Sequence, residues 1–179
     1  MSTTTAPTPS QTQTMPSPKE QFLDAYEKEH GKTMRVLRAY PKDQLELRPH
    51  PKSKTARELA WMFVLEQGAV EKALTSGFDW SKPPSFPPAP ESFDAILGAL
   101  EQGQKRTVEI LRGLRDDQFF ESVKFFTGPK TISDMPKLQF LWTMLCDQIH
   151  HRGQFSVYLR MADGKVPAIY GPSLDEPWS

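Results

Sequence analysis

Prolines divide this chain into stretches that can be helical and connections that cannot. The densest run, Trp80-Ser-Lys-Pro-Pro-Ser-Phe-Pro-Pro-Ala-Pro90, repeatedly fixes φ and removes backbone donors, which excludes it from a helix and from an inner strand. It reads as a long, stiff crossover loop. Pro41 stops a first helical run that starts at Pro18 and carries Phe22, Tyr26, Thr33, Leu37 and Tyr40 at helical spacing. The polar connection Arg48-Pro-His-Pro-Lys-Ser-Lys54 leads to a second run through Leu59, Met62, Ala69 and Ala73, which Gly77 ends. A third spans about Ser92 to Leu114, with Ile96, Leu100, Thr107, Ile110, Leu111 and Leu114 on one side.

Asp116 to Lys130 reads as a second irregular connection, whose paired aromatics Phe119-Phe120 and Phe125-Phe126 suit a short extended piece. The fourth helix is expected to be capped by Ser133 or Asp134, to tolerate Pro136 in its first turn, and to run to Ala162 with Gly164 ending it. Four long amphipathic helices without a strong strand signal predict an all-α fold, a helical bundle. The segment Val166 to Trp178 mixes apolar and turn residues and is expected to lie across that bundle. Residues 1–17, MSTTTAPTPSQTQTMPS, hold nothing that could anchor a core besides two methionines, so they are expected to form a disordered tail ahead of a domain over 18–179.

A length of 179 residues supports one domain with a sizeable core and is short for two. Lys plus Arg and Asp plus Glu each total 22, so no overall field favours a nucleic-acid or anionic-membrane partner. The single cysteine, Cys146, excludes an intramolecular disulfide, no apolar run reaches the length of a membrane span, and the opening residues lack a secretory pattern. The expectation is a cytoplasmic protein with neither a nucleic-acid nor a membrane partner.

Chemistry concentrates in Asp147-Gln-Ile-His-His151-Arg-Gly-Gln154. Asp147 and His151, four apart, share one helix face with Phe140, Met144, Gln154 and Tyr158, which otherwise reads as core. A carboxylate on such a face needs a partner or a cation, because burying it unpaired is costly. His150 points about 100° away round the helix and reads as a surface or interface residue, while Cys146 is rotated off the Asp147 face. His30 reads as a core or rim histidine.

The motifs Glu58-Leu-Ala-Trp61, His150-His-Arg-Gly-Gln-Phe-Ser-Val-Tyr-Leu-Arg160 and Pro167-Ala-Ile-Tyr-Gly-Pro-Ser173 resemble the DinB/YfiT-like family of bacterial four-helix bundles. The resemblance implies an up-down-down-up bundle with long crossover loops, a homodimer, which the aromatic loops and the Trp178 end could support, and a metal held by three histidines. It implies metal-dependent hydrolysis or thiol S-transfer on a small-molecule or thiol ligand. Of the implied histidines, His151 matches the last; Asp147 stands one turn earlier, and Met62 at the helix-two position. Aspartate remains a ligand for Zn²⁺, Ni²⁺, Mn²⁺ or Fe²⁺, whereas a thioether is a poor one. The site is either altered or dead.

Glu66, one turn after Met62, offers a replacement: two carboxylates and an imidazole make a facial set for hard or borderline cations. The alternative is a rim Glu66 paired with a basic residue, and an Asp147–His151 pair that is hydrogen-bonded without metal. The expected metal ligands are therefore Asp147, His151 and Glu66, with Met62, Gln154 and Tyr158 around the pocket. Gly153 would admit another backbone, and Arg152 would bridge to the C-terminal segment. No catalytic residue is assigned, and a non-catalytic binding or structural dimer is the other reading.

Overall fold

Helix starts in this chain are set by side chains that replace missing backbone partners. In the computed structural model, which describes residues 15–178, α1 spans Pro18–Arg38, α2 Ala56–Leu74 and α3 Phe93–Gly113. Ser17 and Thr55 each accept from the amide three residues on, and Glu20 and Glu58 reach back to the cap amides, giving two complete capping boxes. Ser92 caps α3 through Ala95. Residues 1–14 of the expected tail lie outside the described residues, but Ser17 does not belong to a tail, because its hydroxyl and amide both close the first turn of α1. Gly77 ends α2 as expected: at φ 71° its amide donates to Lys72 O at 2.7 Å.

Past α3 the short extended piece expected at the paired aromatics is present at Phe125-Phe126, but the expected start of the fourth helix is not. A 3₁₀ turn at Asp116–Phe120 leads into β1 (Ser122–Gly128) and β2 (Thr131–Pro136), an antiparallel hairpin in which Val123 faces Met135 and Phe125 faces Ser133. Ser133 and Asp134 therefore pair in a strand and cap nothing. The fourth helix, α4, spans Lys137–Met161 behind Pro136, with no side-chain cap. The hairpin exists because Val123, Phe125 and Met135 find apolar cover on neighbouring elements: Phe125 packs edge-on to Phe140 of α4 at 4.7 Å and tilted against Phe78 at 5.3 Å. At the other end of α4 the left-handed residue is Asp163 (φ 56°), not Gly164. Gly164 is required for space: a Cβ there would sit 2.2 Å from Leu159 Cδ1.

The four helices form the expected bundle. Both α1 and α2 pack on α3 and on α4, so the first two helices are diagonal neighbours and the chain must cross over between them. That crossover is the connection 39–55; the proline loop, expected as a crossover, instead joins α2 to its packed neighbour α3 and is pinned by two indole N–H groups: Trp80 donates to Lys124 O of β1, and Trp61 of α2 donates to Pro87 O. The C-terminal segment lies across the bundle as expected. Arg35 donates to Ala168 O and pairs with Glu176, while Arg160 pairs with Asp175. None of the described helices is long and apolar enough to cross a membrane.

The interior is two apolar clusters rather than one. The first joins Leu37, Phe63, Ile96, Phe155 and Leu159, and the second Phe22, Val70, Leu111, Phe140 and Leu141. Between them, at mid-length of every helix, lie the buried polar groups Thr33, Glu66, Gln67, Gln104, Thr107, Gln148 and Arg152. Gln67 Nε2 donates to Tyr26 Oη and to Gln104 Oε1, and Gly103 of α3 leaves the room that its side chain occupies.

A Cβ at Gly103 would lie 2.1 Å from Gln67 Oε1, and Gln67 is buried and bonded on its far side, so it has little freedom to yield. Gly103→Ala is expected to lower unfolding free energy by about 1–3 kcal/mol in urea titration, as overpacking does. His30 gives a second expectation. Burial, assisted by Arg38 and opposed by Glu101, lowers its pKa from 6.5 to about 4. Below pH 6.5 the unfolded chain therefore takes up a proton that the folded chain refuses, so this contribution to stability is complete above 6.5 and is lost as pH falls toward 4. The melting temperature of His30→Leu should fall less steeply than that of the wild type across this window.

Candidate metal centre

Glu66 projects from the middle of α2 toward α4, where Asp147 and His151 stand one turn apart on the same face. One ligand atom from each of the three lies within 4.8 Å of those from the other two. The structure thus brings together the three residues that the sequence nominates. Glu66 is buried, with its side chain 7 % exposed, and among the described residues it has no Lys or Arg partner: its neighbour is His151, Nδ1 to Oε1 at 2.6 Å.

That contact is short enough for a hydrogen bond but is not aligned as one. Glu66 Oε1 and Oε2 and His151 Nδ1 are all buried without a hydrogen-bond partner. Burial, reinforced by the charge of Asp147, pushes the Glu66 carboxyl above the usual carboxylate range, with His151 acting the other way. Glu66 in turn holds His151 above its ordinary value, against burial and the charge of Lys54. The ring is fixed from one side by Phe63, edge-on at 6.3 Å. A buried carboxylate with two unbonded oxygens beside an unbonded imidazole nitrogen is a donor set that could hold a cation.

The surrounding residues divide. Tyr158 is buried and donates to Lys54 O at 2.9 Å, anchoring the loop before α2. Met62, one turn before Glu66, is half-buried and borders a surface groove. Gln154, expected to face the pocket, is exposed, its amide nitrogen 2.9 Å from His150 Nε2; the three-residue step from His151 carries it past the core edge. His150 and Cys146 are exposed, as expected. Gly153 admits no backbone, since nothing approaches its Cβ position within 4 Å.

Arg152 does bridge to the C-terminal segment, and does more. It is 2 % exposed and donates to Glu29 Oε2 (2.6 Å), Tyr170 Oη (2.6 Å), Thr33 Oγ1 and Glu29 O. Thr107 is buried on the face that the sequence assigned it, but the glutamines beside it, Gln67, Gln104 and Gln148, were missed. Glutamine on a helix normally reads as surface, and the only signal was its position within an apolar stripe.

A sequence profile described as the DinB family matches residues 2–178 of this chain. Among solved structures, a DinB-like protein from Bacillus cereus ATCC 10987 is 26% identical, with a TM-score of 0.71 over 84% of this chain and 97% of that one. YfiT from Bacillus subtilis, described as a probable metal-dependent hydrolase with an unusual four-helix bundle topology, shares the fold at 16% identity, with a TM-score of 0.61 over 87% of this chain and 94% of its own. The uncharacterized protein YrdA of Bacillus subtilis strain 168 is 28% identical over 159 residues, 88% of this chain and 90% of YrdA. With a family match running nearly end to end and the bundle in place, the chain belongs to the DinB family.

Proposed function

We propose that this protein holds one divalent cation on Glu66, Asp147 and His151 and is a metal-dependent hydrolase or thiol S-transferase. The observation that carries the reading is the set of three buried, unbonded donor atoms on Glu66 and His151, with the Asp147 carboxylate within ligand range of both. Two carboxylates and one imidazole suit Zn²⁺, Ni²⁺, Mn²⁺ or Fe²⁺ and leave positions open for a further ligand. The description of YfiT as a probable metal-dependent hydrolase supports the same reading. When bound, such a cation lowers the pKa of a coordinated water or thiol toward neutrality.

The protein's own contribution is positional. Glu66 and Asp147 supply compensating negative charge, Phe63 limits the tilt of the His151 ring, and burial of Glu66 keeps bulk water from competing for its oxygens. Met62 favours a second reading: where the resemblance expects an imidazole there is a thioether, as in a member that kept the bundle and lost the chemistry.

Metal content separates the two. Protein purified without a His tag and reconstituted with each ion is expected to carry one divalent cation per chain by elemental analysis. His151→Ala should lose it, and Met62→His should bind it more tightly by adding a fourth ligand, a second imidazole, to Glu66, Asp147 and His151. No metal under any of these conditions, together with a destabilised Met62→His, would support the non-catalytic reading and defeat ours. Stability supplies an independent readout. In chelator-stripped protein Glu66→Met should raise unfolding free energy by about 1–3 kcal/mol, since it removes a buried carboxylate with unbonded oxygens. In metal-loaded protein the same substitution should lower it.

A further inference from the structure

Beside the proposed metal centre, a groove of about 470 Å³ opens on the surface between the loop preceding α2, the first turns of α2 and the proline loop. One wall is apolar: Trp61, Met62 and Pro87, with the Trp61 indole N–H bonded to Pro87 O, so that the proline loop is held against α2. Arg57 reinforces the same wall by donating to Ala89 O. The other wall carries Lys52 and Lys54.

The charges here do not cancel internally. Arg57 is paired with Glu46 at 2.8 Å, and the Glu58 carboxylate is occupied by the Thr55 amide at 2.7 Å. Lys52 and Lys54 make no ion pair among the described residues, so the groove residues and Glu46 together have one positive charge in excess. The groove is also joined to the metal centre. Met62 is one helical turn from Glu66, the Lys54 charge is felt at His151, and Tyr158, about two turns beyond His151 on α4, holds the Lys54 carbonyl.

We propose that this groove is a binding subsite for a small organic monoanion, a carboxylate whose apolar body lies along Trp61, Met62 and Pro87 while its head group meets Lys52 and Lys54. As a subsite for substrate it rests on the metal-centre reading; as a binding site it does not. A single excess charge matches one carboxylate better than a phosphate dianion, and the rigid apolar wall favours a body of aromatic or branched aliphatic carbon.

The test uses full-length, ¹⁵N-labelled protein titrated with 3-phenylpropionate and with its neutral isostere 3-phenylpropanamide, followed by NMR. The carboxylate should shift the Trp61 indole N–H and the backbone amides of residues 52–62, and the amide should bind roughly tenfold more weakly, the gain expected of hydrogen bonds to charged groups. Lys52→Met/Lys54→Met should weaken the carboxylate by a similar factor while leaving amide binding and metal content unchanged. The titration is repeated on metal-free His151→Ala. Retention of binding there places the carboxylate in the groove whether or not the metal reading holds. Equal binding of carboxylate and amide, or no response at Trp61, would overturn the groove proposal. Carboxylate binding that vanishes in His151→Ala would also overturn it, by locating the anion on the metal, and would leave the metal reading intact.

Discussion

Arg152 is among the largest side chains fully inside this bundle, and a guanidinium 2 % exposed has to find its partners among the protein's own groups. It finds them on two other elements at once: Glu29 and Thr33 of α1, and Tyr170 of the C-terminal segment, whose ring also lies 4.1 Å from Lys32 Nζ and 5.2 Å from the guanidinium carbon. Tyr170 closes the circuit by donating to Glu29 Oε2 at 2.6 Å. Hydrogen bonding from Lys32, Tyr170 and Arg152 outweighs burial and lowers the Glu29 carboxyl below its usual range. This network fixes the rotation of α4 about its axis. With Arg152 committed to α1, His151 is turned about 100° away, toward α2, which is where Glu66 waits.

The same reasoning explains why the interior is split. An uninterrupted apolar core would bury more hydrocarbon, yet at mid-length every helix contributes polar groups: Thr33, Glu66 with Gln67, Gln104 with Thr107, and Gln148 with Arg152. Such groups are costly unless satisfied, and this layer is satisfied unequally. Arg152 has a complete set of partners, whereas Glu66 has none beyond a misaligned imidazole contact. Two buried ionisable groups lie in one layer, one paired by the protein and one left with unbonded oxygens. That asymmetry is the basis for assigning the proposed cation to Glu66 rather than to the Glu29–Arg152 pair.

Much of the architecture was legible because helix signals are local. The start of α3 at Ser92, the stop before Pro41, and Gly77 with its positive φ all act within a few residues of where they stand, whereas the Thr55 cap of α2 was seen only in the structure. The errors came where a local signal was outvoted from a distance. Ser133 and Asp134 before Pro136 look like a helix start, but β1 offers them strand partners and Phe140 offers Phe125 a surface, so the residues extend. Gly164 looks like the left-handed stop of α4; Asp163 takes that conformation, and the glycine is needed for clearance from Leu159. Gln154 was placed in the pocket by helical spacing alone, which gives angles round an axis but not where a neighbouring helix ends.

Periodicity and the chemistry of side chains, read without coordinates, determined that four helices would form, that Asp147 and His151 would share a face, and that Glu66 stood on the apolar side of its own helix. These are consequences of a repeat of about 3.6 residues, which every helix obeys whatever surrounds it. Which helices meet, and at what rotation, was decided only by tertiary packing. Residues 66 and 147 are far apart in sequence, and no local rule relates them. Their convergence follows from the diagonal placement of α1 and α2, from Arg152 setting the turn of α4, and from the desolvation of Glu66, which exists only once α4 closes over it.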